Sequence, residues 1–212
     1  SAGSFDAIGI SLSHELSFSN MLQIIDLAGL ELRSEDRGFP LIVCGGSAAF
    51  NPEPIADFVD ALVLGDGEEV ALKLVDVIGE YRDEIDEARG DLEKEKAVKK
   101  RILDTWGGAG DAAGIQGVYV PSHFSVEYGP SGEITSVSNS AGGPDKIKKA
   151  FVSDLDEAPW IVEPPIPHMQ GVSSRVTVEP IRGCTHGCRF CQAGSSRATV
   201  ERPKACFFCI AR

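Results

Sequence analysis

The sequence has no apolar run that approaches the roughly 20 residues needed to cross a bilayer. It also does not open on a charged segment followed by an apolar stretch. We therefore expect neither a membrane span nor a secretory signal. Cysteine is almost missing from the first 183 residues, where only Cys44 occurs. A disulfide framework is therefore not expected, and the predicted location is the reducing cytoplasm.

Basic residues are scarce as well. The 20 Lys and Arg residues are outnumbered by 32 Asp and Glu residues, which gives a formal charge of −12. This sign argues against binding of the whole chain to nucleic acid or to an anionic membrane. Residues 172–212 nevertheless carry a net charge of +5, whereas the preceding 171 residues carry −17. Five of the six cysteines lie in that basic end, so the composition predicts an acidic body and a short cysteine-rich end.

The acidic body alternates two kinds of pattern. Residues 7–12, 41–44 and 61–64 are short apolar runs, which are typical of buried strands. Residues 18–30 and 68–81 have the apolar spacing of helices. Strands and helices that alternate over short links predict an α/β fold with a parallel, Rossmann-like sheet.

The second half of the body is less regular. Residues 82–105 are densely charged and predict a solvated helix. Residues 118–120 predict a further short strand. Residues 124–128 and 134–137 alternate in polarity and flank a Gly-Pro-Ser-Gly turn, which predicts a hairpin.

Small and polar residues follow each predicted strand of the parallel sheet. Such sheets bind ligands outside the carboxyl ends of their strands. The candidate ligand contacts there are Ser11, Gly45, Gly46, Gly65, Asp66, Gly67 and Glu68. Glycines at these points either admit a ligand close to the backbone or only turn the chain, and the sequence leaves both interpretations open.

The basic end contains the motif C-x-x-x-C-x-x-C, formed by Cys184, Cys188 and Cys191. Three thiolates on one short loop can hold three irons of a [4Fe–4S] cluster and leave the fourth iron open to an outside molecule. A structural zinc site is the main alternative, because Cys206 and Cys209 could complete it with two of the upstream thiols. A third alternative is that the cysteines bind no metal.

The loop C-T-H-G-C-R-F-C resembles the hallmark of the radical S-adenosylmethionine (SAM) superfamily, including the aromatic Phe190 before the last cysteine. The resemblance implies that Cys184, Cys188 and Cys191 ligate a [4Fe–4S] cluster and that SAM binds its open iron. Reduction would then cleave SAM to a 5′-deoxyadenosyl radical, with an electron from a partner such as flavodoxin or ferredoxin. The strand predicted over residues 175–181 would be the first of a partial (β/α) barrel.

The segments D-A-I-G-I-S-L, L-I-V-C-G-G and G-D-G-E-E are similar to the cobalamin-binding (B12) domain that precedes the barrel in one branch of this superfamily. The resemblance implies that the seven strand-end residues border the corrin and its nucleotide tail. The motif D-x-H-x-x-G, whose histidine ligates cobalt in some B12 domains, is absent. No residue is therefore assigned as the lower ligand of cobalt.

The resemblance implies three regions. Residues 1–82 would form part of a B12-binding-like α/β domain, residues 83–172 a charged helix and linker with a hairpin, and residues 173–212 the start of a radical SAM domain. We therefore expect the chain to be a fragment of a longer enzyme and to be inactive alone. The alternatives are a non-catalytic cobalamin-binding module and an RNA-modifying radical SAM methylthiotransferase. The sequence does not indicate the substrate.

Overall fold

The computed structural model describes residues 2–110, 113–158, 179, 181–192 and 200–201. The chain divides into two compact units, Ser1–Ala150 and Phe151–Arg212. These units are defined by packing alone. The functional division at residues 82 and 172 therefore stays a prediction.

The first unit is built on a four-stranded sheet in the order β1-β2-β3-β4. Its strands are β1 (Ala7–Ser11), β2 (Leu41–Gly45), β3 (Ala61–Val63) and β4 (Val118–Tyr119). The first three strands are mutually parallel, and β4 is antiparallel to β3. The predicted α/β fold with a mostly parallel, Rossmann-like sheet is confirmed, and the sheet is open in the part of the chain that the structure describes.

Four helices cover the two faces of this sheet. They are α1 (Ser17–Leu27), α2 (Glu68–Glu80), α3 (Arg82–Ala88) and α4 (Leu92–Gly107). Helix α1 buries Met21 and Ile25, which lie one turn apart, in a core that also contains Ile42 and Leu62. The other three helices pack in a second core with Leu41 and with further residues of β3 and β4.

The charged segment after α2 differs from the prediction. It forms two helices, and α4 buries Val98, Ile102 and Trp106 at intervals of four residues. Charged side chains occupy most of the remaining surface of α4. The overall composition of the segment therefore did not indicate this apolar stripe. The prediction of a solvated helix is therefore wrong for one face of α4.

A buried ion cluster ties together the loops that precede β2 and β3. Asp60 is 1% exposed, and its carboxylate pairs with Arg37 at 3.1 Å and with Lys99 of α4 at 2.6 Å. The same carboxylate accepts a hydrogen bond from the Ile42 N–H at 2.6 Å and another from the Ser34 hydroxyl. Two buried cations therefore share one buried anion, and this cluster fixes the start of the parallel strands.

Two small antiparallel pairs complete the described structure. Strands β5 (Phe124–Tyr128) and β6 (Ile134–Asn139) form the predicted hairpin in the first unit. Strands β7 (Ile181–Arg182) and β8 (Val200–Glu201) pair in the second. Most of the strand predicted over residues 175–181 lies outside the described residues. Among the helices of the described residues, none is both long and apolar enough to cross a membrane.

Candidate cluster loop and cofactor edge

The cysteine loop begins directly after β7. Gly183 has a φ of 93° and Gly187 a φ of 59°, and both values lie in the left-handed region that favours glycine. The N–H of Cys191 donates to the Cys188 carbonyl at 3.0 Å and forms a tight turn at the end of the motif. The two glycines and this turn give the loop its curvature.

All three motif cysteines are free thiols on an accessible loop. Cys188 is exposed, and Cys184 and Cys191 are partly exposed. Phe190 is 93% exposed, and His186 is also at the surface. Within the described residues, no three His, Cys, Asp or Glu side chains are grouped so that they could hold a metal ion. The sequence-predicted ligands thus share one loop, but this arrangement does not bring their sulfur atoms together.

The donor set itself suits an iron–sulfur cluster. Thiolates are the ligands that cluster irons prefer, and three of them lie within eight residues. The partly exposed thiols leave room for a group to approach from solvent, and the glycines permit the backbone to rearrange. Cys206 and Cys209, the alternative zinc ligands, lie outside the described residues.

An ion pair holds the strand that carries the loop. The Arg182 guanidinium donates from Nε to Glu179 Oε1 at 3.0 Å and from Nη2 to Oε2 at 2.8 Å. This bidentate geometry restricts the orientation of both side chains more than a single contact would. The Arg182 side chain is 10% exposed and the Glu179 side chain is 34% exposed, so the pair is partly shielded from solvent.

The carboxyl edge of the parallel sheet contains the other predicted site residues. Ser11 is exposed at the end of β1, and Gly45 and Gly46 end β2. Gly46 has a φ of 102°, and a Cβ at this position would lie 2.5 Å from the Leu12 carbonyl oxygen. Close backbone packing against Leu12 is therefore sufficient to explain why residue 46 is glycine.

A similar contact explains Gly65. Its φ is 108°, and an added Cβ would lie 2.1 Å from the carbonyl oxygen of Ala150. Ala150 donates its N–H to the Leu64 carbonyl at 2.8 Å and accepts from the Asp66 N–H at 3.1 Å. Residue 150 thus covers the end of β3. The backbone of Ala150 can approach this closely because Gly65 has no side chain.

Gly67 differs from these two glycines. Its φ is −94°, and no atom lies within 4 Å of an added Cβ. Gly67 is exposed and precedes Glu68, the first residue of α2. Open space at this edge therefore lies beside Gly67 rather than beside Gly46 or Gly65. Contact between cobalamin and any of these residues stays a prediction.

Two residues of the first unit have environments that the sequence only partly indicated. Cys44 is fully buried in the core, and burial raises the pKa of its thiol to about 12. The Nε2 of His123 lies 3.1 Å from Asp104 Oδ1, and burial lowers the pKa of His123 despite the carboxylate. Because the two residues are 19 positions apart, no local motif could have shown this pair.

Comparison with known families identifies the body of the chain. The family model described as radical SAM proteins, N-terminal, matches residues 1–121. No curated protein matches the chain. The matched residues contain the whole four-stranded sheet and exclude the cysteine loop. The match therefore rests on residues outside the loop, whose sequence resembles the same superfamily. Because the match covers more than half of the sequence, the chain belongs to the radical SAM family through its N-terminal domain.

Proposed function

We propose that this chain forms the N-terminal domain and the cluster loop of a radical SAM enzyme. The observation that carries the proposal is the C-x-x-x-C-x-x-C loop in a chain whose first 121 residues match the family. Cys184, Cys188 and Cys191 would ligate a [4Fe–4S] cluster. When bound, the cluster supplies the electron that cleaves SAM to a 5′-deoxyadenosyl radical.

The residues around the loop have separate roles in this proposal. The three thiols lie on an accessible loop. On cluster binding, the backbone would bend at Gly183 and Gly187 and bring the three sulfur atoms together. The Glu179–Arg182 pair holds the backbone from which the loop departs. Phe190, at 93% exposure, would shield the bound group from water once the loop has closed. The electron would come from a flavodoxin- or ferredoxin-type partner.

Anaerobic reconstitution of the full chain with iron and sulfide tests the ligand assignment. We expect a brown protein with about four irons per chain and loss of iron in the Cys184→Ala, Cys188→Ala and Cys191→Ala variants. Cys44→Ala is the matched control, because this buried thiol should not affect iron content. A colourless protein that binds one zinc would contradict the proposal and favour the four-thiolate alternative.

We also propose that the open carboxyl edge of the sheet binds cobalamin. The open space beside Gly67 and the exposed end of β1 support this assignment. A glutamine at position 67 should fit the folded protein, because its φ is ordinary and no atom lies nearby. Gly67→Gln should therefore weaken the spectral shift seen on titration with hydroxocobalamin. Gly79→Gln, at another open glycine in α2, is the control, and equal titrations of both variants would contradict the assignment.

A further inference from the structure

A cavity of about 920 Å³ lies in the first unit. It lies at the edge of the sheet where the parallel strands begin, opposite the carboxyl edge. It is lined by residues 33–35 and 37, which precede β2, and by residues 56–59, which precede β3. Residues 121–123, which follow the antiparallel β4, also line it. All three segments lie where the parallel strands begin. The cavity is therefore separate from the predicted cobalamin contacts.

One wall of the cavity is apolar and aromatic. Phe124, Val126 and Tyr128 line it from β5. All three residues line the same cavity, although the register of β5 against β6 shifts between Glu127 and Tyr128. Tyr128 is 67% exposed, and Phe124 packs against Tyr119 with ring centroids 4.8 Å apart and ring planes tilted by 43°. This wall offers accessible aromatic rings against which a planar ring can pack.

A second part of the lining comes from one side of α4 and contains three lysines. Lys96, Lys99 and Lys100 line the cavity at helical spacing. The Lys99 ammonium is buried against Asp60, and Lys100 pairs with Asp104 at 2.6 Å. Among the described residues, no carboxylate forms an ion pair with Lys96. Four carboxylates also line the cavity, and each has a partner: Glu35 and Asp57 pair with Arg33, Asp104 pairs with Lys100, and Glu53 accepts from Tyr119. Lys96 is partly buried and is suited to bind an anion from solvent.

We propose that this cavity is a binding site for an aromatic anion of mononucleotide size. The ring would stack on the β5 wall, and the phosphate would pair with Lys96. Binding sites for small ligands measure about 300–1,000 Å³, and the cavity lies within that range. At the floor, the Tyr119 hydroxyl donates to Glu53 at 2.7 Å, which leaves the second Glu53 oxygen as an acceptor. That oxygen could receive a hydrogen bond from the sugar or the base.

Three probes separate the contributions of ring and charge. The full chain is titrated by calorimetry with AMP, with adenosine and with ribose 5-phosphate. We expect AMP to bind about tenfold more tightly than either half-molecule, because only AMP uses both walls. The affinity should fall as salt rises, since the anion meets a partly exposed cation. Equal affinity for AMP and ribose 5-phosphate would contradict the aromatic wall, and no saturable binding of AMP would overturn the proposal.

Three variants at two positions test which residues bind the phosphate and the ring. Lys96→Ala should remove the preference for AMP over adenosine, and Lys96→Arg should restore it. Tyr128→Ala should weaken AMP and adenosine alike. Lys73→Ala is the matched control, because Lys73 is an exposed lysine on α2 that does not line the cavity. If Lys96→Ala binds AMP as tightly as the Lys73→Ala protein does, the assignment of the anion to Lys96 is wrong.

Discussion

Replacing Asp60 with asparagine tests whether the buried ion cluster holds the sheet together. The carboxylate lies between Arg37 and Lys99, and its two oxygens accept hydrogen bonds from four donors. An amide of the same shape turns one oxygen into a donor that faces other donors. It also leaves two cations buried without an anion. Removing one partner of a buried ion pair costs about 3–5 kcal/mol of unfolding free energy, and we expect a loss in this range.

Replacing Lys99 with methionine should cost less. Arg37 and Asp60 then remain as a neutral pair, and the methionine fills most of the volume of the lysine stem. The Ser34 carbonyl keeps the Arg37 N–H at 3.2 Å, and Asp60 Oδ1 keeps the Ser34 hydroxyl. The Arg37 carbonyl, 2.9 Å from the lost ammonium, loses its donor. A buried acceptor without a donor costs about 1–3 kcal/mol, and burial already lowers the pKa of the Lys99 ammonium. The structure thus predicts a larger loss for Asp60→Asn than for Lys99→Met.

Urea unfolding of the full chain, followed by far-UV circular dichroism near neutral pH, measures both losses. With a slope of about 1–3 kcal/mol per molar urea, Asp60→Asn should lower the midpoint by about 2 M. Asp57→Asn is the control, because Asp57 forms an ion pair with Arg33 but its side chain is 65% exposed. Its loss should stay below about 1 kcal/mol. An Asp60→Asn protein as stable as Lys99→Met, or as the control, would refute the reasoning.

Three further predictions concern other parts of the chain. Gly65→Ala should cost about 1–3 kcal/mol in urea unfolding, because a Cβ meets a backbone carbonyl at a φ of 108°, whereas Gly67→Ala should change stability by less than about 0.5 kcal/mol. The pKa of His123 is below its ordinary value of 6.5, so the unfolded chain binds the proton more readily between the two values. Stability should therefore fall as pH drops through that window, and it should fall less in His123→Gln. Glu179→Gln should reduce the iron retained after reconstitution, and a Glu179→Arg/Arg182→Glu exchange should restore part of it. Equal retention by Glu179→Gln and wild type would contradict an anchoring role.

The regular part of the sheet was predictable because its signals are local. Apolar runs at residues 7–12, 41–44 and 61–64 each become a strand, and turns follow each of them closely. Strands β2 and β3 are mostly buried as expected, whereas β1 lies at the edge of the sheet and is only partly buried, so the prediction of a buried strand is wrong there. The antiparallel β4 was not assigned to this sheet. It has only two residues, and its partner β3 lies more than 50 residues earlier in the chain. A pairing of that kind depends on tertiary packing, which short sequence windows do not contain.

The cysteine loop was easier to predict from the sequence than the candidate contacts at the edge of the sheet. The cysteine spacing indicates a ligand set whatever the surrounding fold, because three soft donors on one loop suit few other purposes. Glycine at a strand end is less informative. Gly46 and Gly65 make room for backbone atoms of Leu12 and Ala150. The sequence alone cannot distinguish this role from the close approach of a ligand. Pairs of polar residues far apart in sequence, such as His123 and Asp104, could not be predicted either.

The bridge between Gly65 and Ala150 fixes the point at which the chain leaves the first unit. That point lies at the carboxyl edge of β3, the edge that also contains Ser11 and Gly45. The backbone of Ala150 already occupies the Leu64 carbonyl and the Asp66 N–H at this edge. Any molecule that binds at the end of β3 must therefore use other groups of the edge for its hydrogen bonds.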